Sequence, residues 1–188
     1  MVIDKNTGLI SSATYFQSPN KDERPGQELS LLVIHGISLP PGQFHGDDIK
    51  DFFLNKLDSS KHVFYQKISN FKVSSHLVIR RDGRVWQFVP FHQRAWHAGI
   101  SQFGGRDKCN DFSIGIELEG IDTMPYSEEQ YCALSACTTE IMKTYPGITM
   151  DRIVGHEHIA PGRKTDPGPA FDWAYYHSQL LSVENNIK

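Results

Sequence analysis

The segment His156-Glu157-His158-Ile159-Ala160-Pro161-Gly162-Arg163-Lys164-Thr165-Asp166-Pro167-Gly168-Pro169 organises the interpretation of the whole chain. It carries two imidazoles, a lysine and the carboxylate of Asp166 among three prolines and two glycines. Because proline lacks a backbone donor and glycine loosens the chain, this composition predicts a loop rather than a regular helix or a central strand. Loops held on a rigid scaffold often carry chemistry, so the segment is the first candidate for a functional site.

Within this loop, His156 and Asp166 can reach one metal ion if the segment folds back on itself, which its prolines and glycines favour. A third ligand must come from elsewhere, and His35, directly after the apolar run Leu31-Leu32-Val33-Ile34, is the candidate. Two histidines and an aspartate leave the fourth position of a tetrahedral zinc ion to water, which is typical of a catalytic site. The alternative, a structural role for His35, stays open on spacing alone.

Hydrophobic periodicity predicts a single α/β domain with a central mixed β-sheet flanked by helices. Strand-forming runs occupy 31–34, 76–80, 85–89, 112–119 and 151–154, and helical spacing occupies 47–57, 127–145 and 171–181. Asp82-Gly83 between two strand-forming runs predicts a hairpin. Ser127 and Gln130 form a capping box at the start of the clearest helix, which Pro146-Gly147 should end. Residues 1–30 are polar and rich in turn residues, so we expect a surface arm that wraps the domain.

The strand at 112–119 alternates between an apolar face and a face that carries Ser113, Gly115, Glu117 and Glu119. One interpretation makes the second face solvated. The other makes it the wall of a groove, opened by the small residues, with Glu117 at its edge. Glu117 could then serve as the base in a hydrolysis at the metal, and Lys164 could stabilise developing negative charge.

Composition excludes several classes of protein. A formal net charge of -3 over 188 residues gives no electrostatic reason to expect a nucleic-acid partner. The apolar runs are too short for a membrane span, and residues 1–30 have no basic and apolar stretches of the secretory type. Cys109, Cys132 and Cys137 form no metal-binding pair, and reduced thiols in a cytoplasmic protein are the simplest interpretation. No obligatory protein partner is evident.

Several long motifs, in order, carry a resemblance to a known family. They are His35 after its apolar run, Ile37-Ser38-Leu39-Pro40-Pro41-Gly42, Arg94-Ala95-Trp96-His97-Ala98-Gly99, Asn110-Asp111-Phe112-Ser113-Ile114-Gly115-Ile116-Glu117-Leu118-Glu119-Gly120, and Gly155-His156 through Gly168. Together they resemble the N-acetylmuramoyl-L-alanine amidases, most closely the AmpD-type subgroup that acts on anhydro-muropeptides. The resemblance runs from about Leu31 to Trp173.

The resemblance implies the fold shared by phage-type amidases and peptidoglycan recognition proteins. It also implies a cytoplasmic zinc amidase of peptidoglycan recycling, formed by residues 31–182 and followed by a tail at 183–188. Its substrate would be a muropeptide, cut between 1,6-anhydro-N-acetylmuramic acid and L-alanine. By the family's pattern the metal ligands are His35, His156 and Asp166, and the catalytic pair is Glu117 and Lys164. Substrate contacts fall on His76, His97, Lys72 and Lys108.

Three positions depart from the family's pattern. Gly36 stands where asparagine is expected, and Lys72 and Lys108 stand where close relatives tend to carry arginine. Lysine keeps the charge but loses the fork that binds a carboxylate through two bonds. His158, two residues from His156, is expected beside the metal site or at the surface and not as a ligand.

Two rival functions remain. One is a muropeptide-binding module without catalysis, which absence of a ligand or of the catalytic pair would favour. The other is an amidase for intact murein, which would be expected to carry a signal peptide, a lipid anchor or a wall-binding extension.

Overall fold

The computed structural model describes residues 1–185 of the chain. Its strands are β1 (Ile3–Asp4), β2 (Leu9–Ile10), β3 (Thr14–Tyr15), β4 (Lys21–Glu23), β5 (Leu31–Ile37), β6 (Leu77–Ile79), β7 (Val85–Gln87), β8 (Gln93–Ala95), β9 (Gln102–Phe103), β10 (Arg106–Asp107), β11 (Ser113–Glu119) and β12 (Ile153–Gly155). Its α-helices are α1 (Asp48–Phe53), α2 (Val63–Ile68), α3 (Glu128–Thr144), α4 (His156–Ile159) and α5 (Trp173–Asn185). Short 3-10 turns cover Cys109–Asp111 and Met150–Arg152.

A six-stranded sheet with the order β12-β5-β11-β6-β7-β3 forms the centre of the domain. β5 and β11 pair in parallel over their full lengths, and β12 and β6 add parallel neighbours on either side. β7 runs antiparallel to β6, so the sheet is mixed, as the sequence predicted. The three strands that carry or precede the candidate site residues, β12, β5 and β11, are therefore adjacent.

Both faces of β5 and β11 are covered, because alternate side chains point to opposite faces and nearly all are buried. One face forms the larger core with α3 and α5, which contribute Leu134, Ile141, Tyr176 and Leu180. The other face meets two separate apolar clusters. One contains residues of α1 and α2 over Val78, and the other contains Ile159 of α4 over Leu31 and Val33. The candidate site lies on this second face.

Several sequence predictions are confirmed. The hairpin pairs β6 with β7 around Asp82-Gly83. The capping box is present at α3, where Ser127 Oγ accepts from Gln130 N–H at 3.2 Å and Gln130 Oε1 accepts from Ser127 N–H at 3.1 Å. The three cysteines are free.

Other predictions are corrected. His35 lies inside β5, which continues to Ile37, and not at the exit of the strand. His156 begins one turn of α-helix, α4, because the first proline of the segment comes only at Pro161. α1 ends at Phe53, before Leu57.

The N-terminal segment is more integrated than a surface arm. Residues 1–30 contribute β1 to β4, and β3 joins the edge of the central sheet. Ile3 and Ile10 are buried in the larger core. At the other end, α5 runs through Asn185, and the rest of the tail expected at 183–188 lies outside the described residues. No helix within residues 1–185 has the length and apolarity that a membrane span requires.

Candidate active site

Strand register brings the candidate residues together. Glu117 of β11 is the register partner of His35 of β5, so both side chains project from the same face of the sheet. On the other side of β5, Gly155 of β12 pairs with Ile34, and His156 follows at the next position. The three residues therefore lie side by side near the carboxyl ends of parallel strands, where open α/β sheets commonly bind ligands.

His35, His156 and Asp166 form a compact group of possible metal ligands. His35 Nδ1 lies 2.9 Å from His156 Nδ1, and Asp166 Oδ2 lies 3.2 Å from the first and 3.0 Å from the second. Both imidazoles are buried, at 1% and 2% exposure.

The group fits a divalent ion. Its donor atoms all lie within 4.8 Å of one another. Zinc ligands at about 2.0–2.1 Å in tetrahedral geometry lie roughly 3.3 Å apart, close to the distances found here. Two imidazoles and a carboxylate also suit zinc chemically.

Electrostatics keeps the ligands in their metal-binding forms. Burial, and then the neighbouring His156, lower the pKa of His35 to about 4, so the ring is neutral near pH 7. Burial opposes ionisation of Asp166, but its side-chain interactions with His156 and His35 outweigh it and lower the pKa of its carboxyl. Metal binding requires neutral imidazole and ionised carboxylate, and the shifts of His35 and Asp166 favour these forms at neutral pH.

The loop that carries Asp166 is held at several points. Glu157 N–H donates to the backbone oxygen of Asp166 at 3.0 Å, and Tyr126 Oη donates to that of Pro167 at 3.0 Å. Gly36 allows this arrangement, because a Cβ at this position would lie 2.5 Å from Tyr126 Oη. The departure at Gly36 thus coincides with close packing of the tyrosine hydroxyl beside the metal-ligand loop.

The carboxylate of Glu117 is poorly hydrogen-bonded within the described part of the chain. Its Oε2 is enclosed and has no hydrogen-bond partner within residues 1–185. Burial, and then the charge of Asp166, raise its pKa well above the ordinary value, while Lys164 opposes the shift. An enclosed carboxyl group with a raised pKa beside a candidate metal site is typical of acid–base chemistry. The face of β11 that carries it is not solvated, which corrects the first of the two interpretations of this strand.

Glu119, the other carboxylate on this face of β11, has a different environment. It is 1% exposed, and its Oε2 accepts from Arg80 Nε at 2.9 Å and from Arg81 N–H at 3.1 Å. Its Oε1 accepts from His45 N–H at 2.8 Å. Each oxygen is occupied, so Glu119 supports the fold and is not available to a ligand.

A pocket of about 330 Å³ opens over the group. Glu117, His156, Asp166 and the exposed Lys164 line it together with His97. The remaining wall is largely apolar and includes Phe52, Phe53, Phe64, Ile68, Phe71 and Trp96. The pocket can therefore hold a ligand with both a polar reacting centre and apolar surface.

The four residues proposed from sequence to contact substrate have different positions relative to the pocket. His97 lines the pocket. Lys72 is exposed between the pocket residues Phe71 and Val73, whereas Lys108 is exposed and is not among the residues that line the pocket.

His76 is completely buried, with its ring bonded to Gly115 N–H, to Gln93 O and to Arg24 Nη2. It is not among the residues that line the pocket, so the structure does not support the expected substrate contact.

Sequence reasoning also missed part of the pocket. Phe52 and Phe53 fall in the predicted helix at 47–57 but were not proposed for the site, although each faces the pocket as well as an apolar cluster. Phe64 and Ile68 of α2 received no prediction. The available signal was the helical spacing of the apolar residues Phe64 and Ile68 in the segment Val63–Ile68.

His158 is not part of the metal-ligand group. Its Nδ1 accepts from Gly155 N–H at 2.9 Å, and its ring packs near Trp173. It lies beside the site, as expected from sequence.

The chain is similar to proteins of known families. The family described as N-acetylmuramoyl-L-alanine amidase matches residues 25–169. The protein named 1,6-anhydro-N-acetylmuramyl-L-alanine amidase AmpD from Haemophilus influenzae is 53% identical over 178 residues, which cover 94% of this chain and 97% of that protein.

Solved structures agree with this similarity. A crystal structure of a selenomethionine derivative of AmpD has a TM-score of 0.93 and 48% identity, and the match covers 96% of this chain and 99% of that one. The amidase AmiD from Escherichia coli, solved with the substrate anhydro-N-acetylmuramic acid-L-Ala-D-gamma-Glu-L-Lys, has a TM-score of 0.60 and 34% identity, over 80% of this chain and 57% of that one. Both the sequence match and the shared fold extend over the parts of the chain that form the site, and the chain belongs to the N-acetylmuramoyl-L-alanine amidase family.

Proposed function

We propose that this amidase uses a zinc ion held by His35, His156 and Asp166 to hydrolyse the amide bond between 1,6-anhydro-N-acetylmuramic acid and L-alanine in soluble muropeptides. The observation that carries the proposal is the position of Glu117, whose Oε2 has no hydrogen-bond partner within residues 1–185, in the pocket that His156 and Asp166 of the compact His-His-Asp group also line. Zinc held there would lower the pKa of a bound water to about 7 and polarise the substrate carbonyl.

Glu117 is proposed as the general base. Its carboxylate takes a proton from the attacking water and returns it to the L-alanine nitrogen as the amide bond breaks. A base without other hydrogen-bond partners is free to bond to that water, and Glu117 Oε2 meets this condition within the described residues.

Lys164 is proposed to stabilise the oxyanion that develops on the carbonyl. Its backbone N–H donates to Ala160 O at 3.0 Å, and its side chain lines the pocket beside Asp166. A fixed cation at the place where negative charge develops favours the transition state over the ground state.

The substrate class is proposed from the relatives and the pocket. AmpD proteins are named for the 1,6-anhydro-N-acetylmuramyl-L-alanine bond, and the AmiD complex contains a peptide of anhydro-N-acetylmuramic acid. The apolar wall formed by Phe64, Phe71 and Trp96 offers a surface for the bicyclic sugar. Lys72, at the pocket edge, is proposed to attract a peptide carboxylate, and Lys108 stays a prediction.

A cytoplasmic place in peptidoglycan recycling is proposed from the similarity to the AmpD proteins.

The experiment combines metal analysis with product analysis. We expect close to one zinc ion per chain by plasma emission spectroscopy, and free peptide with an N-terminal L-alanine by mass spectrometry. Protein that has been supplied with zinc and still lacks a stoichiometric zinc ion would overturn the proposal. Faster digestion of intact murein sacculi than of soluble anhydro-muropeptide would favour the murein amidase instead, and zinc binding without cleavage of either would favour the binding module.

A further inference from the structure

The outer nitrogens of the two histidines in the metal-ligand group are held by consecutive residues. His35 Nε2 lies 2.9 Å from His97 Nδ1. His156 Nε2 lies 3.2 Å from the backbone oxygen of Ala98. A dipeptide on the connection after β8 therefore contacts both rings on the side away from the candidate metal.

One placement of the protons on the histidine ring nitrogens is consistent with all of these contacts. The Nδ1 atoms of His35 and His156 face each other and Asp166, so each needs a free lone pair to bind a metal. A neutral imidazole then carries its proton on Nε2. His156 donates this proton to the carbonyl of Ala98, and His35 donates to His97 Nδ1.

The same assignment extends through His97. Its Nδ1 accepts, so its own proton is on Nε2, which lies 3.1 Å from Ser113 Oγ and donates to that oxygen. The ring is also wedged against β11. A Cβ on Gly115 would lie 2.5 Å from Cγ and Nδ1 of His97, so only glycine leaves room for the ring.

Asn110 anchors the backbone of the dipeptide. Its Oδ1 accepts from His97 N–H at 3.1 Å and from Ala98 N–H at 2.8 Å. One side-chain oxygen thus fixes both residues that fix the two histidine ligands. Asn110 is not among the residues that line the pocket, so its influence on the site passes through the dipeptide.

We propose that His97 and Asn110 are positioning residues that hold His35 and His156 in the ring orientation and tautomer required for metal binding. The inference rests on the proposed function, because it concerns the same metal site. It gives His97 a role toward the ligands in addition to the substrate contact expected from sequence. Partners that orient metal-binding histidines typically contribute 10–100-fold to metal affinity.

The test measures zinc affinity and not turnover, by competition with a chelator of known affinity at fixed pH. His97→Leu keeps bulk and removes the acceptor, whereas His97→Asn can present a carbonyl oxygen near the place of Nδ1. Asn110→Ala removes the anchor, whereas Asn110→Asp keeps an acceptor oxygen. The exposed His92 provides a matched control through His92→Leu and His92→Asn.

We expect His97→Leu and Asn110→Ala to weaken zinc binding by about 10–100-fold, with substantial recovery in His97→Asn and Asn110→Asp and no change in the His92 pair. The melting temperature of each metal-free variant shows whether the substitution has destabilised the fold. A general loss of fold would lower the zinc affinity of both variants of a pair. Wild-type affinity in both His97→Leu and Asn110→Ala would overturn the inference and leave the proposed function intact. Equal losses in each conservative and non-conservative pair would also overturn it. A wild-type chain that binds no zinc would overturn both.

Discussion

Replacing Glu117 with glutamine separates a catalytic carboxylate from a structural one. The substitution keeps the shape of the side chain and removes only its ability to take a proton. Because Glu117 is not one of the three grouped ligands, zinc content should stay at the wild-type level. Loss of a general base typically lowers the rate by about 10²–10⁴-fold, so we expect kcat on an anhydro-muropeptide to fall by that factor.

The structure also predicts the sign of the effect on stability. In the metal-free protein, burial and the charge of Asp166 raise the pKa of Glu117 well above its ordinary value. The folded state therefore binds more protons than the unfolded state, and stability declines as pH rises from the unfolded pKa through the folded one. Each pH unit between these two values corresponds to ~1.4 kcal/mol. Glu117→Gln removes this penalty, so the metal-free variant should be at least as stable as wild type at pH 7–8.

The assay therefore has three measurements: zinc content, kcat, and the free energy of unfolding of metal-free protein between about pH 4 and 8. An inactive, zinc-replete variant whose unfolding free energy depends less on pH than that of wild type is the expected result. A structural role would instead produce a destabilised protein with near-normal turnover. Turnover within tenfold of wild type would refute the assignment of Glu117 as the base.

Three further substitutions test other parts of the site. Lys164→Ala should keep zinc and lose about 10²–10³ in kcat, as measured by metal analysis beside steady-state kinetics, and normal turnover would exclude the oxyanion role. Asp166→Ala should lose stoichiometric zinc, because three protein ligands become two, whereas His158→Asn should retain it, and zinc retained by Asp166→Ala would contradict the ligand assignment. Glu119→Ala should lower the unfolding free energy by about 3–5 kcal/mol in denaturant titration, because it leaves the buried Arg80 without its ion-pair partner, and an unchanged midpoint would contradict the structural role of this pair.

The fold was largely predictable where local chemistry decides it. Turn residues at Asp82-Gly83 and a capping box at Ser127 act over a few residues, so the sequence alone predicted both features. The N-terminal segment was harder to predict, because the burial of Ile3 and Ile10 depends on partners far along the chain. Short strands such as β1 and β3 carry too few residues to show a period.

The residues of the candidate site were predictable from the sequence, but the residues that hold them in position were not. His35, His156, Asp166 and Glu117 were proposed from motifs. Strand register explains why His35, His156 and Glu117 lie together, and the loop after α4 brings Asp166 to the two histidines. His76 was assigned to the substrate although it lies beneath the site, because a motif does not indicate on which side of a strand or loop a side chain lies.

The residues that hold the site in position depend on three-dimensional contacts, which the spacing of residues along the sequence does not show. Gly115 shows the difficulty: in sequence it is a small residue in a strand, and the structure explains it as the space for the ring of His97. The ring of His97 and the carbonyl of Ala98 contact two different candidate ligands, His35 and His156. Asn110 fixes the backbone N–H groups of His97 and Ala98 with a single oxygen. A chain of this kind joins β5, α4, β11 and the loop after β8, and each link is an ordinary hydrogen bond or close contact. Its effect arises from their arrangement, since partners on the outer nitrogens of two imidazoles orient both rings toward one point.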